Sequence, residues 1–269
     1  MARVNGSFAT SAVPGTRFAD VRWVAETGST NRDLLAAAAS GAADGLVLVA
    51  DHQTAGRGRL DRTWIAPPGA SLLVSVLLRP VLPPEELFLL TLACGLAAGD
   101  AVAEVAGVQP GLKWPNDVVV VGGPLSDRKI GGILAESHVA EGRVDAVVVG
   151  MGLNLNWPAE LPADIASTAT AVNHVTGQPV DREQVLVEWL HRYEAYLVTI
   201  EHPDRRDEFM NVVRARSATI GREVRVEGAH ETFEGLAVGI DEQGRLVVDR
   251  GGVTTTVAVG DVVHARLAD

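Results

Sequence analysis

Apolar runs of strand length alternate with stretches of helical spacing along most of the chain. The strand-length runs predict six β-strands: Val21–Ala25, Leu46–Asp51, Ser71–Leu78, Val118–Val121, Ile130–Glu136 and Arg143–Gly150. Helical spacing and N-cap residues predict four helices: Ser29–Ala39, Pro84–Ala106, Asp181–Ile200 and Asp204–Arg216. Three strands follow one another between residues 118 and 150 with no room for a helix. This favours an α+β fold with a mixed sheet over a doubly wound parallel sheet.

The pattern changes near residue 218, where short alternating runs separated by glycine turns begin. Turns are predicted at Glu227–Gly228, Gln243–Gly244 and Gly251–Gly252, and the whole segment predicts a small closed β-barrel. We therefore expect a flexible N-terminus over residues 1–20, a large domain over 21–217 and a small C-terminal domain over 218–269.

Composition and charge exclude several classes of protein. The formal charge of −11 disfavours non-specific binding to a polyanion, so no DNA partner is expected. Leu87–Val108 is apolar but interrupted by glycines and acids, which predicts a core helix and no membrane span. The first twenty residues lack a signal-peptide core, and Cys94 alone can form no internal disulfide. The expected location is the cytoplasm.

Of the 23 basic residues only two are lysines, Lys113 and Lys129. A lysine that serves only solubility can become arginine at little cost, whereas a compact ammonium group in a tight site cannot. Both lysines lie beside glycine, asparagine or aspartate, in LKWPNDV and DRKIGGILAE. Both are therefore candidate functional residues.

The segment QTAGRGRLDRTW directly follows a predicted strand and carries Arg57, Arg59 and Arg62 among glycines. Glycine lets backbone amides approach an anion, and guanidinium groups neutralise phosphate or carboxylate oxygens. Neither GxxxxGK[ST] nor GxGxxG occurs there. The segment is a candidate anion site, with a solvated basic loop as the structural alternative.

In KWPNDV, the proline restricts the backbone, so that Asn116 and Asp117 could be aimed at one ligand. Pro-Asn-Asp is also favourable turn chemistry. A turn alone, however, requires neither Lys113 nor Trp114, which favours a ligand site.

Gly131 and Gly132 follow Lys129 within a strand-like run, which indicates either close approach of a ligand or of another backbone segment, or a β-bulge. In GMGLNLNW, the alternation of Asn154 and Asn156 predicts that both point to one face of a strand.

ETGSTN ends one predicted strand and begins a helix. Ser29 and Thr30 could cap that helix, contact a ligand at its N-terminus, or do both. The chain contains no HExxH, CxxC or GxSxG, and its seven histidines lack metal-ligand spacing, so no protein metal ligands are assigned. What remains is a basic, glycine-rich site suited to a nucleotide and a carboxylate.

The segments ETGSTN, QTAGRGRLDRTW, LKWPNDV, KIGGILAE and GMGLNLN, in this order and before a small β-barrel, resemble the biotin–protein ligases. The resemblance extends over nearly the whole chain from about Val21, and GRGRxxRxW with KWPND is its decisive pair. It implies a catalytic domain related to class II aminoacyl-tRNA synthetases and lipoate ligases, with a barrel like Src-homology-3 domains. Some members carry an N-terminal winged-helix repressor domain. Only 25 residues precede Glu26, so a monofunctional ligase is expected.

The resemblance also implies site residues. A catalytic set is expected to comprise Lys129, Arg57, Arg59, Arg62, Lys113 and Asp117. A set that binds the two substrates is expected to comprise Ser29, Thr30, Asn31, Gln53, Gly56, Gly58, Trp64, Asn116, Gly131, Gly132 and Asn154.

Within these sets, Ser29, Thr30 and Gln53 would bind the biotin rings, and the GRGR loop would close over biotin and the phosphates. Lys129 would contact the biotin carboxylate and the α-phosphate. Arg62 and Trp64 would flank the nucleotide, and Asn116, Asp117 and Asn154 would face the nucleotide or the metal.

The implied reaction has two steps. Biotin and ATP give biotinyl-5′-AMP and pyrophosphate with the help of Mg²⁺, and the biotinyl group then passes to a lysine of a biotin carboxyl carrier domain. Lys113 or Asp117 could assist deprotonation of that lysine, and the residues do not decide between them. Two other functions remain open: a lipoate–protein ligase, which is expected to carry an RRxxGGGxVxHD-type segment, and a non-catalytic biotin-sensing regulator.

Overall fold

The computed structural model describes residues 12–60, 62–227 and 232–258, together with the backbone of three short strands near the termini. The strands are β1 Arg3–Val4, β2 Ser7–Phe8, β3 Asp20–Thr27, β4 Leu46–Gln53, β5 Ser71–Leu78, β6 Gly111–Lys113, β7 Asp117–Val119, β8 Lys129–Ala140, β9 Arg143–Asn154, β10 Glu223–Glu227, β11 Thr232–Ile240, β12 Leu246–Asp249, β13 Thr254–Val257 and β14 His264–Leu267. The α-helices are α1 Thr30–Ala39, α2 Phe88–Ala106, α3 Val172–Thr176, α4 Arg182–Glu201 and α5 Arg206–Ala215. Single turns of 3₁₀-helix at Pro84–Glu86 and Pro203–Arg205 precede α2 and α5.

The large domain is built on a seven-stranded sheet in the order β3-β4-β5-β9-β8-β7-β6. Only β3 and β4 run parallel, while the remaining neighbours are antiparallel. This mixed sheet with packed helices confirms the predicted α+β class. All six predicted strands and all four predicted helices are present. The short elements β6 and α3 were not predicted, because three to five residues carry too little periodicity to be recognised.

The apolar segment Leu87–Val108 forms α2, and thirteen of its residues are buried. By length and composition the stretch Pro84–Ala106 could cross a membrane, but 72% of its most apolar window is buried inside the molecule. The Trp189 indole of α4 donates to the Cys94 carbonyl, and the Tyr193 hydroxyl donates to Leu90. α2 is therefore the core helix that its interrupted pattern predicts.

Part of the expected N-terminal flexible segment is packed against the core. Val13 and Phe18 are buried, and the Phe18 ring stacks on Tyr193 with centroids 6.2 Å apart. The Arg17 guanidinium contacts Glu194 at 2.9 Å and Glu201 at 2.8 Å on α4. The expectation of a loose segment up to residue 20 is therefore wrong for Val13–Phe18. Residues 1, 2, 5, 6 and 9–11 lie outside the described ones.

The C-terminal part is a five-stranded antiparallel sheet in the order β13-β12-β11-β10-β14. The predicted turns at Gln243–Gly244 and Gly251–Gly252 connect its strands, whereas the turn at Glu227–Gly228 extends beyond the described residues. In the part of the domain that the structure describes, β13 and β14 are the two edge strands and no pairing joins them, so closure into a barrel stays a prediction.

Trp114 joins this small sheet to the large domain. Its Nε1 donates to the Gly244 carbonyl at 2.9 Å, and its backbone N–H donates to the Thr219 hydroxyl. The indole is buried and meets the Phe88 ring edge-on. Trp114 thus supplies contact between the two sheets, a structural reason for its presence in KWPND.

Candidate functional site

The parallel pairing of β3 and β4 brings the ETGSTN and QTAGRGR segments together. Thr27 lies opposite Gln53 in the register, which places the Gln53 side chain at the start of α1. Its Oε1 accepts from the Thr30 backbone N–H at 2.8 Å and lies 3.0 Å from the Thr30 hydroxyl. Ser29 occupies the N-cap position but makes no side-chain cap hydrogen bond. Its predicted capping function is therefore wrong, and Gln53 holds the first turn.

Asn31 connects α1 to the middle of the sheet. Its Oδ1 accepts from the Ser75 hydroxyl at 2.6 Å, and its Nδ2 donates to Glu136 at 2.9 Å and to the Leu134 carbonyl at 3.1 Å. A Cβ at Gly150 would lie only 2.0 Å from Asn31 Oδ1. Gly150 is therefore the residue that makes room for the buried Asn31 amide.

The described residues of the GRGRLDRTW segment, 56–60 and 62–64, fold back on one another as a hairpin. Trp64 N–H donates to the Gly56 carbonyl, Gly58 N–H donates to the Arg62 carbonyl, and Arg57 bridges Thr63 in antiparallel fashion. A Cβ at Gly56 would meet the Trp64 carbonyl oxygen at 2.4 Å. This close approach explains why position 56 is a glycine, which the sequence alone did not show.

The hairpin places Trp64 over the Gly-rich ends of β8 and β9. A Cβ on Gly152 would lie 2.3 Å from the indole, and one on Gly132 would lie 3.0 Å from it and 2.9 Å from Lys129 Nζ. Lys129 Nζ lies 5.3 Å from the Trp64 ring centroid and 2.6 Å from Asp117 Oδ1. These two glycines form a flat floor beneath an ammonium group and an indole.

Gly131 does not belong to that floor. Its Cβ position faces the Leu153 side chain at 3.0 Å and the Gly152 carbonyl, and the residue is buried. The pairing of β7 with β8 shifts register between Gly131 and Lys129, so a β-bulge is present here. The β-bulge explanation is thus realised beside Gly131, whereas the groups close to Gly132 are the Lys129 and Trp64 side chains, and a ligand at this glycine stays a prediction.

Arg59 extends the cationic side of the site towards KWPND. Its Nη1 lies 3.4 Å from Asn116 Oδ1, while Asn116 Nδ2 donates to the Ile133 carbonyl at 2.7 Å. Burial and the nearby charge of Arg62 lower the pKa of the Arg59 guanidinium, and the Asp117 carboxylate partly offsets them. Arg59, with Arg62 near it, and Lys129 therefore both lie close to the Asp117 carboxylate, an arrangement that suits a polyanionic ligand.

Asn154 and Asn156 do not line one open face. Asn154 is buried, its Oδ1 accepts from Ser71, and its Nδ2 donates to the Thr170 carbonyl. Asn156 lies beyond β9 and exchanges two hydrogen bonds with the Val180 backbone. Both amides hold backbone segments that follow β9, at Thr170 and at Val180. The geometry does not bring Asn154 to the ligand side of the site.

Lys113 lies on β6 directly opposite Asp117 on β7 in the antiparallel register. The described Asp117 side chain, however, forms its ion pair with Lys129. Lys113 on β6 and Lys129 on β8 thus lie on opposite sides of β7, the strand that carries Asp117.

Glu136 and Ser75 are site neighbours that the sequence did not single out. Glu136 pairs with Arg57 Nη2 at 2.8 Å, and Ser75 contacts both Thr30 and Asn31. Neither lies in a recognisable motif. The one available signal was a polar residue inside each apolar strand, at positions 75 and 136.

Within residues 12–60, 62–227 and 232–258 there is no group of three or more histidine, cysteine or acidic side chains that could hold a metal ion. Over the same part of the chain, Trp64 Nε1 is buried without a hydrogen-bond partner. An unpaired buried donor above a glycine floor suits a ligand that brings an acceptor.

Comparison with known proteins gives the class to which this fold and site belong. The Biotin/lipoate A/B protein ligase family matches residues 24–154, and the Biotin protein ligase C terminal domain matches residues 219–265. A biotin--[acetyl-CoA-carboxylase] ligase of Mycobacterium tuberculosis is 45% identical over 259 residues, which cover 94% of this chain and 91% of that protein. The chain belongs to the biotin protein ligase family.

Two further comparisons agree with this assignment. The structure of a biotin protein ligase from Aquifex aeolicus in complex with biotin and ATP superposes with a TM-score of 0.78 at 30% identity, covering 92% of this chain and 99% of that one. The bifunctional ligase/repressor BirA of Bacillus subtilis is 33% identical over 226 residues, 82% of this chain and 66% of the relative.

Proposed function

We propose that this protein is an ATP-dependent ligase that forms biotinyl-5′-AMP from biotin and ATP and transfers biotin to a lysine of a biotin carboxyl carrier domain. The observation that carries the proposal is the placement of Lys129, Asp117 and Trp64 above the Gly132–Gly152 floor, beside the arginine hairpin. The sequence relationship to biotin protein ligases supports the same reaction.

In the first step a carboxylate oxygen of biotin attacks the α-phosphorus of ATP, and the bond to pyrophosphate breaks. Both reactants are anions, so catalysis depends on positioning and on cations that offset the accumulating charge. We assign this work to Lys129 and to Arg57, Arg59 and Arg62 on the hairpin. No covalent enzyme intermediate is required.

In the second step the carrier lysine amine attacks the acyl carbon, AMP leaves, and the amine loses a proton. The Asp117 carboxylate, which lies 2.6 Å from Lys129 Nζ, is the group to which we assign acceptance of that proton. Lys113 remains the alternative. A closed hairpin would also keep water away from the acyl-adenylate.

Mg²⁺ fits this site as a companion of the triphosphate. It is commonly held by one or two carboxylates together with substrate phosphates and water, and needs no cage of protein ligands. Asp117 is the carboxylate that could take part, with Asn116 beside it on the hairpin side. When bound, the ion would neutralise phosphate charge.

The remaining assignments are part of the same proposal. We divide the chain into an N-terminal segment 1–20, a catalytic domain 21–217 and a C-terminal domain 218–269. The carrier belongs to a biotin-dependent carboxylase, DNA is not a partner of a chain with a charge of −11, and the cytoplasm supplies the ATP.

The test uses purified full-length protein with ATP and either biotin or lipoate. Pyrophosphate release that depends on biotin, followed by labelling of a purified carrier domain, is the expected result. Release with lipoate alone would identify a lipoate ligase. Adenylate formation without carrier labelling, together with a gel shift on DNA, would identify a regulator.

A further inference from the structure

A continuous chain of hydrogen bonds connects the proposed biotin-binding residues to the arginine hairpin. It begins at Thr30, whose hydroxyl lies 2.7 Å from Ser75 Oγ, and continues through Ser75 to Asn31 Oδ1 at 2.6 Å. Asn31 Nδ2 then donates to Glu136 Oε2, and Glu136 Oε1 pairs with Arg57. Glu136 therefore ends the chain and holds the hairpin at the same time.

The direction of each donor in this chain follows from counting protons. Asn31 Nδ2 faces two groups that can only accept, the Glu136 carboxylate and the Leu134 carbonyl, which fixes the orientation of the amide. Asn31 Oδ1 can only accept, so the single proton of Ser75 is donated to it. The Ser75 hydroxyl can then act towards Thr30 only as an acceptor.

Thr30 is left with acceptors on both described sides, Ser75 Oγ at 2.7 Å and Gln53 Oε1 at 3.0 Å. Whichever of these two oxygens accepts the Thr30 hydroxyl proton, that proton is not available for a hydrogen bond to a ligand. The Thr30 hydroxyl therefore meets a ligand as a hydrogen-bond acceptor. Gln53, with its oxygen held by the Thr30 N–H, turns its Nε2 donor towards the Gly56 side.

These two residues consequently favour a ligand that presents an N–H next to a C=O, as the ureido ring of biotin does. Glu136 supports this arrangement through Asn31, because reversing the Asn31 amide would bring its oxygen against the carboxylate, and Gln53 Oε1 supports it from the other side of Thr30. Thr30, Asn31 and Ser75 are buried, so water has little access to replace a lost partner.

We propose that Glu136 is a positioning residue that sets Thr30 as an acceptor for the ureido N–H and anchors the hairpin through Arg57. The inference rests on the proposed function and adds a residue that acts without touching substrate. Its two effects are separable, because Ser75 lies only on the Thr30 side of the chain and Arg57 only on the hairpin side.

The test compares Glu136→Gln and Ser75→Ala with the unaltered full-length protein. The quantities are KM for biotin, KM for ATP and kcat of pyrophosphate release, together with the rate at which biotinyl-AMP leaves the enzyme. Glu136→Gln is expected to raise KM for biotin about tenfold, the effect of one lost hydrogen bond, and to speed adenylate release while KM for ATP stays unchanged. Ser75→Ala is expected to raise KM for biotin without faster release.

Glu242→Gln is the matched control, because Glu242 also pairs with an arginine, Arg214, at 2.6 Å but lies in the C-terminal domain. It should leave all four quantities unchanged. In the double variant Ser75→Ala/Glu136→Gln, KM for biotin should rise no further than in the more affected single variant, because both substitutions interrupt the same chain of hydrogen bonds.

A Glu136→Gln protein with normal KM for biotin and normal adenylate release would overturn the proposal. If that variant fails to fold, Ser75→Ala decides, and a normal KM for biotin there overturns it equally. Absence of biotin-dependent pyrophosphate release in the unaltered protein would instead contradict the proposed function itself.

Discussion

Single side chains in this site are selected by size as well as by charge. Lys129 fits between the Asp117 carboxylate and the Trp64 ring, and Gly132 beneath it leaves no space for a Cβ. In a chain with 21 arginines beside two lysines, this crowding gives a physical reason for an ammonium group at position 129. A planar guanidinium group is wider and spreads its charge over several donors.

Lys129→Arg is therefore expected to slow biotin-dependent pyrophosphate release by about 100-fold, the scale of losing one well-placed electrostatic contact in a transition state. Chemical unfolding should be unchanged, because Lys129 is half-buried and carries no core packing. Single-turnover assays with radiolabelled ATP would measure the effect. A rate equal to that of the unaltered enzyme would remove Lys129 from the reaction.

Among the structural elements, two helix starts that look alike in sequence are held differently. The Asp181 side chain accepts from the backbone N–H groups of Glu183 and Gln184 at the start of α4. Ser29 makes no such bond at the start of α1, where Gln53 from a neighbouring strand takes its place. A capping residue in the sequence predicts the boundary of a helix but not the contact that stabilises it.

Asp181→Ala should lower the free energy of unfolding by about 1 kcal/mol, the usual cost of a lost N-cap. Ser29→Ala removes no cap bond and should lower it less. Urea denaturation of both variants followed by circular dichroism gives the comparison. Equal losses of unfolding free energy would mean that the Ser29 hydroxyl and the Asp181 carboxylate stabilise their helices alike.

The arginine hairpin is the second element whose function depends on local structure. Arg59→Gly is expected to release biotinyl-AMP faster than the unaltered enzyme, because the half-buried guanidinium group near Asn116 is lost. Leu60→Gly is the matched control. Leu60 has φ of 56°, which glycine adopts freely, so this variant adds flexibility without removing a cation.

Rapid gel filtration of enzyme with bound adenylate would measure retention in both hairpin variants. Faster loss in Arg59→Gly alone supports closure of the loop by its charge. Equal loss in both would attribute retention to stiffness of the backbone, and unchanged loss in Arg59→Gly would contradict a closing function for the hairpin.

At the scale of the whole molecule, the KWPND segment makes contacts between the two sheets. Trp114 follows Lys113 and donates to Gly244 in the turn between β11 and β12. A Cβ at Gly244 would meet the side chains of Leu92 and Phe88 on α2 at less than 3 Å. The C-terminal domain therefore packs directly behind KWPND.

Trp114→Phe should lower the free energy of unfolding by about 1–3 kcal/mol, because the Gly244 carbonyl is left buried without its donor. It should also raise KM for ATP, since Asn116 and Asp117 lie two and three residues after Trp114. Denaturation and initial-rate kinetics measure the two effects. Unchanged stability would mean that the indole hydrogen bond does not contribute to the domain contact.

Much of this arrangement could be predicted from the sequence. The presence and order of the strands and helices of the large domain follow from local periodicity, although β8 and β9 each extend four residues beyond their predicted ends, and the five ordered motifs indicate the family. Predictions from local patterns were wrong where the deciding contact is made by residues that are distant in the sequence. Asn154 has the spacing of a ligand-facing residue, yet its amide is taken up by Ser71 and Thr170 inside the protein.

The sequence by itself thus determined the elements, the mixed sheet and the residue types of the site, because periodicity and turn chemistry act over a few neighbouring residues. Only the tertiary structure decided that Gly132 and not Gly131 forms the floor, and that Glu136 connects Asn31 to Arg57. Asn31 and Glu136 are 105 residues apart, and their contact exists only because the sheet brings β8 beside β9 and under α1.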